Sequence, residues 1–244
     1  MEMGKPIDES EMDASSSVDL TTVLLGRLKE LISSKQVNPG EKLPPERELA
    51  ERFGVSRPSL RNALKVLEII GVVSQKVGDG TYLNRDASQV LSVPFEFLFL
   101  MDDTSMQDLV DIRLIVEPPL AARAAQWADA NEIEILNRSL QQMEESEGNR
   151  VKMIEADLAF HRAIFEASGN RLAGRLFNAL HQVMLDIMVV TSQMSDPNHT
   201  LQYHRPIFKA IRQHKPSDAS RLMTEHLQDA RKLLQVATRD SAQS

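Results

Sequence analysis

The chain has 244 residues, 42% hydrophobic and 26% charged, and carries 28 Lys and Arg against 35 Asp and Glu for a net charge of -7. This is a globular composition with material for one large or two small cores, which excludes a wholly disordered, collagenous or coiled-coil chain and one coated throughout in basic charge. The absence of cysteine excludes disulfides and thiolate chemistry, so any metal must be held by nitrogen and oxygen.

Charge is unevenly spread. Residues 1–17 hold one Lys and five acids, residues 18–86 hold 11 basic and 9 acidic residues, and residues 87–244 hold 16 and 21. All six histidines (161, 181, 199, 204, 214 and 226) fall in the third segment. The expected divisions are a disordered acidic arm over 1–17, a first domain over 18–86 with a slight basic excess and a second domain over 87–244 that holds every histidine. The first residues are acidic and polar rather than signal-like, and no apolar run approaches the roughly 18 residues of a membrane span. A soluble cytoplasmic protein with no membrane partner is expected.

In chain order, Leu24, Leu25, Leu28, Leu31 and Ile32 predict a helix from about Asp19 to Ser34, closed by Pro39-Gly40. A short helix is predicted from Pro45 to Phe53, stopped by Gly54. Ser56 caps a third that runs to about Ile70 and ends at Gly71. Val72, Val73, Val77 and the Gly78-Asp79-Gly80 turn, followed by Thr81-Tyr82-Leu83, predict a β-hairpin. Three helices and a hairpin in this order form a winged helix-turn-helix pattern.

After Asp86 the pattern is helical over about 88–101, 105–129, 131–147, 151–168, 171–195, 199–214 and 217–239. Seven helices in this space predict an antiparallel all-α bundle, so the fold class is mainly α.

Between Arg52 and Lys65 there are four basic residues and no acid. Arg57, Arg61 and Lys65 share one face of the third helix, while Leu60, Ala63, Leu64 and Leu67 occupy the other. Such a helix suits the major groove, where arginine bonds guanine bidentately and Ser56, Ser59 and the helix N-terminus hold phosphate. The same spacing also describes a solvated surface helix, and the longer string separates the two.

That string, LPPERELAERFGVSRPSLRNALKVLEIIGVVSQKVGDGTYL, resembles the DNA-binding domain of the GntR family of bacterial transcription regulators. The resemblance implies that Arg47, Arg57 and Arg61 carry most operator contacts, assisted by Ser56 and Ser59, with the wing turn at Gly78 approaching the minor groove. The turn Lys76-Val77-Gly78-Asp79-Gly80 is less basic than is usual in that family.

In the helix over 151–168, Asp157 and His161 lie about 40° apart within the apolar stripe of Met153, Ile154, Phe160, Ile164 and Phe165. His204 is bracketed by Leu201, Ile207, Phe208 and Ile211, and His226 by Leu222, Met223, Ala230 and Leu233. One such histidine is ordinarily a satisfied core residue. A buried carboxylate needs a partner, and three imidazoles with one carboxylate facing the same interior suit a divalent cation, with zinc, nickel, manganese or iron open. DLVDIRLIVEPPLAARAA, then Asp157 to His161, His204 and His226, is similar to the FCD effector domain of the FadR subfamily. In its metal-containing members one Asp and three His occupy these positions. The resemblance implies a cation on Asp157, His161, His204 and His226, zinc ahead of the others, and a small carboxylate effector. The helix Ser88 to Met101 points to the seven-helix version of that domain.

Arg113 falls within the stripe of Leu109, Val116, Leu120 and Trp127, so an anion must meet its guanidinium. Glu117 is one candidate and an effector carboxylate held bidentately is the other. Glu117 lies about 40° further round the helix, toward the edge that water reaches, which favours the effector.

The expected function is that of a homodimeric, ligand-responsive repressor on double-stranded operator DNA, controlled by a small organic acid. The alternatives are a metal-dependent hydrolase or lyase with a DNA-binding appendage, and a direct metal sensor. The four-ligand set lacks a convincing general base beside it, which argues against the enzyme.

Overall fold

The computed structural model describes residues 15–85, 101, 106–146, 148–192 and 197–241. Most of the expected acidic arm, and the helix expected over Ser88–Met101 but for its last residue, lie outside these. The chain divides into two compact units, Met1–Leu91 and Ser92–Ser244.

The first unit contains α1 (Ser15–Ser33), α2 (Glu46–Phe53), α3 (Arg57–Ile69), β1 (Val73–Lys76) and β2 (Gly80–Leu83). Helix α1 begins four residues before the expected Asp19, within the stretch assigned to the acidic arm. Leu24, Leu28 and Leu31 of α1, Leu49 and Phe53 of α2 and Leu60, Leu64 and Leu67 of α3 close one core with Val73 and Leu83 of the hairpin. Gly54 ends α2 at φ 67°, a left-handed conformation that costs glycine nothing. Ser56 caps α3 by accepting from the Ser59 backbone amide at 3.3 Å, and Pro58 sits in the first turn, where it forfeits no helical bond. Strands β1 and β2 pair antiparallel from Val73 opposite Leu83 to Lys76 opposite Gly80.

The second unit is helical throughout its described residues: α4 (Met106–Trp127), α5 (Ala130–Glu144), α6 (Arg150–Ala167), α7 (Arg171–Ser192), α8 (Pro197–Arg212) and α9 (Pro216–Ser241). An Asp129–Glu132 capping box starts α5, and the Asn149 side chain caps α6, each satisfying amides the helix start would leave bare. Helix α4 runs unbroken through Pro118 and Pro119. It packs on α6, α8 and α9, while α6 also packs on α5 and α7.

Two apolar clusters fill this unit. One joins Leu136 and Met143 to Phe160, Ile164, Ile207, Phe208 and Met223, and the other joins Leu109 and Val110 to Leu158, Phe165, Phe177 and Met184. Helix α6 belongs to both. At about 100° per residue, Met153, Phe160 and Ile164 face the first cluster and Ile154, Leu158 and Phe165 the second. Asp157 and His161 stand in the sector between, so the polar residues lie along a seam between two cores.

Candidate functional site

In the first unit, Arg57 and Arg61 project from the exposed face of α3 and Arg47 from the exposed face of α2. Arg61 Nη2 donates to Glu46 Oε2 at 2.8 Å, and Arg47 Nη1 lies 3.8 Å from Glu51 Oε1. Ser56 and Ser59 share a hydroxyl bond of 2.8 Å, so the cap occupies both groups assigned to phosphate. At the wing tip, the Asp79 amide donates to the Lys76 carbonyl at 3.0 Å and Gly78 takes φ 75° with no neighbour within 4 Å of a Cβ position. Glycine there serves the turn, not a packing contact. Asp79 accepts from Lys42 Nζ at 2.7 Å and from the Tyr82 hydroxyl at 2.6 Å. The less basic wing therefore also holds one of its neighbouring lysines in an ion pair.

In the second unit, α6, α8 and α9 bring Asp157, His161, His204 and His226 together, with one donor atom of each within 4.8 Å of the others. His161 Nε2 is 3.2 Å from His226 Nε2 and 3.4 Å from Asp157 Oδ1, and His204 Nε2 is 2.7 Å from Asp157 Oδ1. His204 Nδ1 donates to the Thr200 carbonyl at 2.9 Å, and His161 Nδ1 donates to Glu117 Oε2 at 2.7 Å. Each of these rings thus carries its proton on Nδ1 and turns the Nε2 lone pair inward, the arrangement of an oriented metal ligand.

Despite their 2.7 Å approach, His204 Nε2 and Asp157 Oδ1 are buried and share no hydrogen bond. The approach is off the line of an N–H bond, so both buried atoms keep an unmet lone pair, which a shared cation would satisfy. The formal charges agree. Asp157, Glu117 and Arg113 leave one net negative charge in the seam when the three histidines are neutral. Burial pushes the Asp157 carboxyl up, but His204 and His161 outweigh it and hold it well below the usual carboxylate range. Burial, with the positive charges that His204 and His161 would carry, pushes His226 well below the usual imidazole range, leaving it a neutral acceptor. Burial lowers His161 too, but Glu117 and Asp157 more than offset it and raise its pKa, so a proton on its Nε2 competes with a cation for the same inward lone pair. The donor set, the unmet lone pairs of buried His204 Nε2 and Asp157 Oδ1 and the charge deficit fit a divalent cation.

Glu117 departs from expectation. It is 1% exposed rather than water-accessible. Its Oε1 accepts from Arg113 Nε at 2.6 Å while Oε2 serves His161, and although burial pushes its carboxyl up, Arg113 and His161 bring it down to about 2. The cause lies in the small residues of α4. Leu109, Val110, Leu120, Ala121, Ala124 and Ala125 are all buried, an arc about 160° wide with Glu117 near its centre. Trp127, expected in the stripe, is 59% exposed. Arg113 is buried as expected, and its Nη2 lies 3.4 Å from His161 Nε2.

A cavity opens beside the cluster, lined by Arg113, Asp157 and His226 and also by His199, Tyr203 and Asp229. The spacing that finds His204 and His226 does not single out His199, which bonds Asp229 across α8 and α9 at 2.6 Å. The side chain of His181 lies outside the described residues.

Residues 108–229 match the FCD domain, and residues 4–83 match the bacterial regulatory proteins of the gntR family. The chain is 30% identical over 210 residues to the HTH-type transcriptional regulator LutR of Bacillus subtilis, covering 84% of this chain and 96% of that one. It is also 30% identical over 218 residues to the HTH-type transcriptional repressor NanR of Escherichia coli K12, covering 85% and 81%. Among solved structures, a GntR protein of Streptococcus agalactiae superposes with a TM-score of 0.69 at 27% identity, over 87% of this chain and 99% of its own. Relatives of this kind are DNA-binding transcription regulators rather than enzymes, which sets the hydrolase or lyase alternative aside. With a GntR reading head and a FadR-like FCD domain that together take up most of its length, the chain belongs to the GntR family of bacterial transcriptional regulators.

Proposed function

We propose that this regulator is a cytoplasmic repressor whose hold on operator DNA is set by a small carboxylate bound beside a divalent cation. Asp157, His161, His204 and His226 would hold the cation, zinc ahead of nickel, manganese or iron. The cation supplies a positive centre for a carboxylate oxygen. Arg113 supplies the second, and its bond to Glu117 fixes the guanidinium plane so that the group is presented rather than left mobile. A homodimer places two α3 helices on a pseudo-palindromic operator, read by Arg47, Arg57 and Arg61, with Ser56 and Ser59 at the helix start and the Gly78 turn beside the groove. The effector shifts the population of the state that grips DNA.

The observation that carries this reading is that one cavity is lined by Asp157, His226 and Arg113 together. Elemental analysis of the purified protein is expected to find close to one divalent metal per chain, reduced in Asp157→Ala and His226→Ala. A thermal-shift screen of small organic acids, run with and without added zinc, is expected to find acids that stabilise the protein only when metal is present. Full metal occupancy in both variants overturns the ligand assignment. Operator release by metal alone, with no acid required, makes the protein a direct metal sensor instead.

A further inference from the structure

The cavity has a second polar wall that neither the cation site nor Arg113 uses. His199 and Tyr203 of α8 and Asp229 of α9 form it. His199 Nε2 lies 2.6 Å from Asp229 Oδ2, and Gln202 Nε2 lies 2.9 Å from His199 Nδ1. An amide nitrogen only donates, so His199 Nδ1 accepts and the ring proton sits on Nε2, where Asp229 receives it. Tyr203 also bonds Asp229 through its hydroxyl, which donates because a carboxylate only accepts. Two donors take up two of about four acceptor positions on the carboxylate.

A cavity with a guanidinium on one side therefore presents a carboxylate on another, with Met153, Ile154, Met188 and Leu233 supplying apolar wall between. Asp229 follows His226 by three residues, which puts the two side chains about 5–6 Å apart on one face of α9. A ligand reaching from the cation and Arg113 to Asp229 is about three or four carbons long. At its far end a second carboxylate would meet a like charge, and a methyl group would strip water from Asp229 and return no bond. A hydroxyl or ammonium group would fill the open acceptor position. Building on the proposed carboxylate site, we propose that the effector is a short acid with a hydrogen-bond donor at the end away from its carboxylate, and that Asp229, set by His199 and Tyr203, selects it.

Matched acids test this on the full-length protein supplied with zinc: butyrate, 4-hydroxybutyrate, 4-aminobutyrate and succinate, and the three-carbon set propionate, 3-hydroxypropionate, β-alanine and malonate, titrated calorimetrically. In at least one set the donor-bearing acid is expected to bind at least about tenfold more tightly than both the alkyl acid and the dicarboxylate. The hydroxyl and ammonium arms show which donor is preferred. In Asp229→Asn the advantage over the dicarboxylate is expected to shrink below about threefold, because the like charge is gone. The quantity read is a ratio between ligands within one protein, so a partial loss of folded material does not imitate it. Succinate or malonate binding as tightly as the donor-bearing acids in wild type overturns the proposal, as does an unchanged ratio in Asp229→Asn. Binding by none of the acids overturns the carboxylate site itself, and this inference with it.

Discussion

The exposed face of α2 and α3 and the seam of the helical unit both pair arginine with glutamate, yet the pairs differ in kind. Arg61 and Glu46 meet at 2.8 Å on the surface, where water and salt compete and a phosphate can take the place of the carboxylate. Arg113 and Glu117 meet at 2.6 Å with 5% and 1% of their side chains exposed, so neither can leave the other without stranding a buried charge. The same chemistry is exchangeable in one place and fixed in the other. The surface pair can exchange its carboxylate for another anion, whereas the buried pair sets the orientation of a ring and a guanidinium.

The contrast is broken most directly at Glu117. Glu117→Ala removes the acceptor of both Arg113 and His161 and is expected to destabilise the helical unit by about 3–5 kcal/mol, measured by urea denaturation. A loss below about 1 kcal/mol would place this pair with the surface ones.

Acid titration sharpens the same point. The Glu117 carboxyl is held at about 2 against an ordinary 4.5, so its contribution is present above 4.5 and is lost as the pH falls toward 2. The size is on the order of 3 kcal/mol. Stability measured across this window is expected to fall less steeply in Glu117→Gln than in wild type, and equal slopes would contradict the assignment.

On the reading face, Arg57→Ala and Arg61→Ala are each expected to weaken operator binding by roughly tenfold to a hundredfold while affecting random DNA less. Equal losses on both DNAs would limit these residues to phosphate. The smallest effect belongs to Glu46→Gln, which frees Arg61. Binding to random DNA is expected to rise a fewfold, most at low salt, with the melting temperature nearly unchanged.

Much of this was legible in the sequence because it follows period and punctuation. Gly54, Ser56 and Pro58 mark the start of α3, and Asp157, His161, His204 and His226 show themselves as polar residues inside apolar stripes. The burial of Glu117 is not legible, for a physical reason. Ala121, Ala124 and Ala125 are buried but weakly hydrophobic, so a stripe drawn through Leu109, Val116, Leu120 and Trp127 is centred too far to one side. The His199–Asp229 contact joins residues 30 apart on two helices, and no periodicity within either helix encodes it. The Lys42–Asp79 pair, 37 residues apart, is hidden in the same way.

Pro118 and Pro119 follow Glu117 directly and have no amide hydrogen, so the carbonyls of Leu114 and Ile115 have no donor four residues on. Helix α4 therefore has two rungs missing from its ladder between Arg113 and the alanines that anchor its other half. Flexing the helix axis at this turn strains two fewer backbone bonds than flexing it elsewhere along α4. The turn that carries the buried anion and cation is thus also the most compliant part of the rod, where a small displacement of Arg113 tilts the whole segment from Met106 onward.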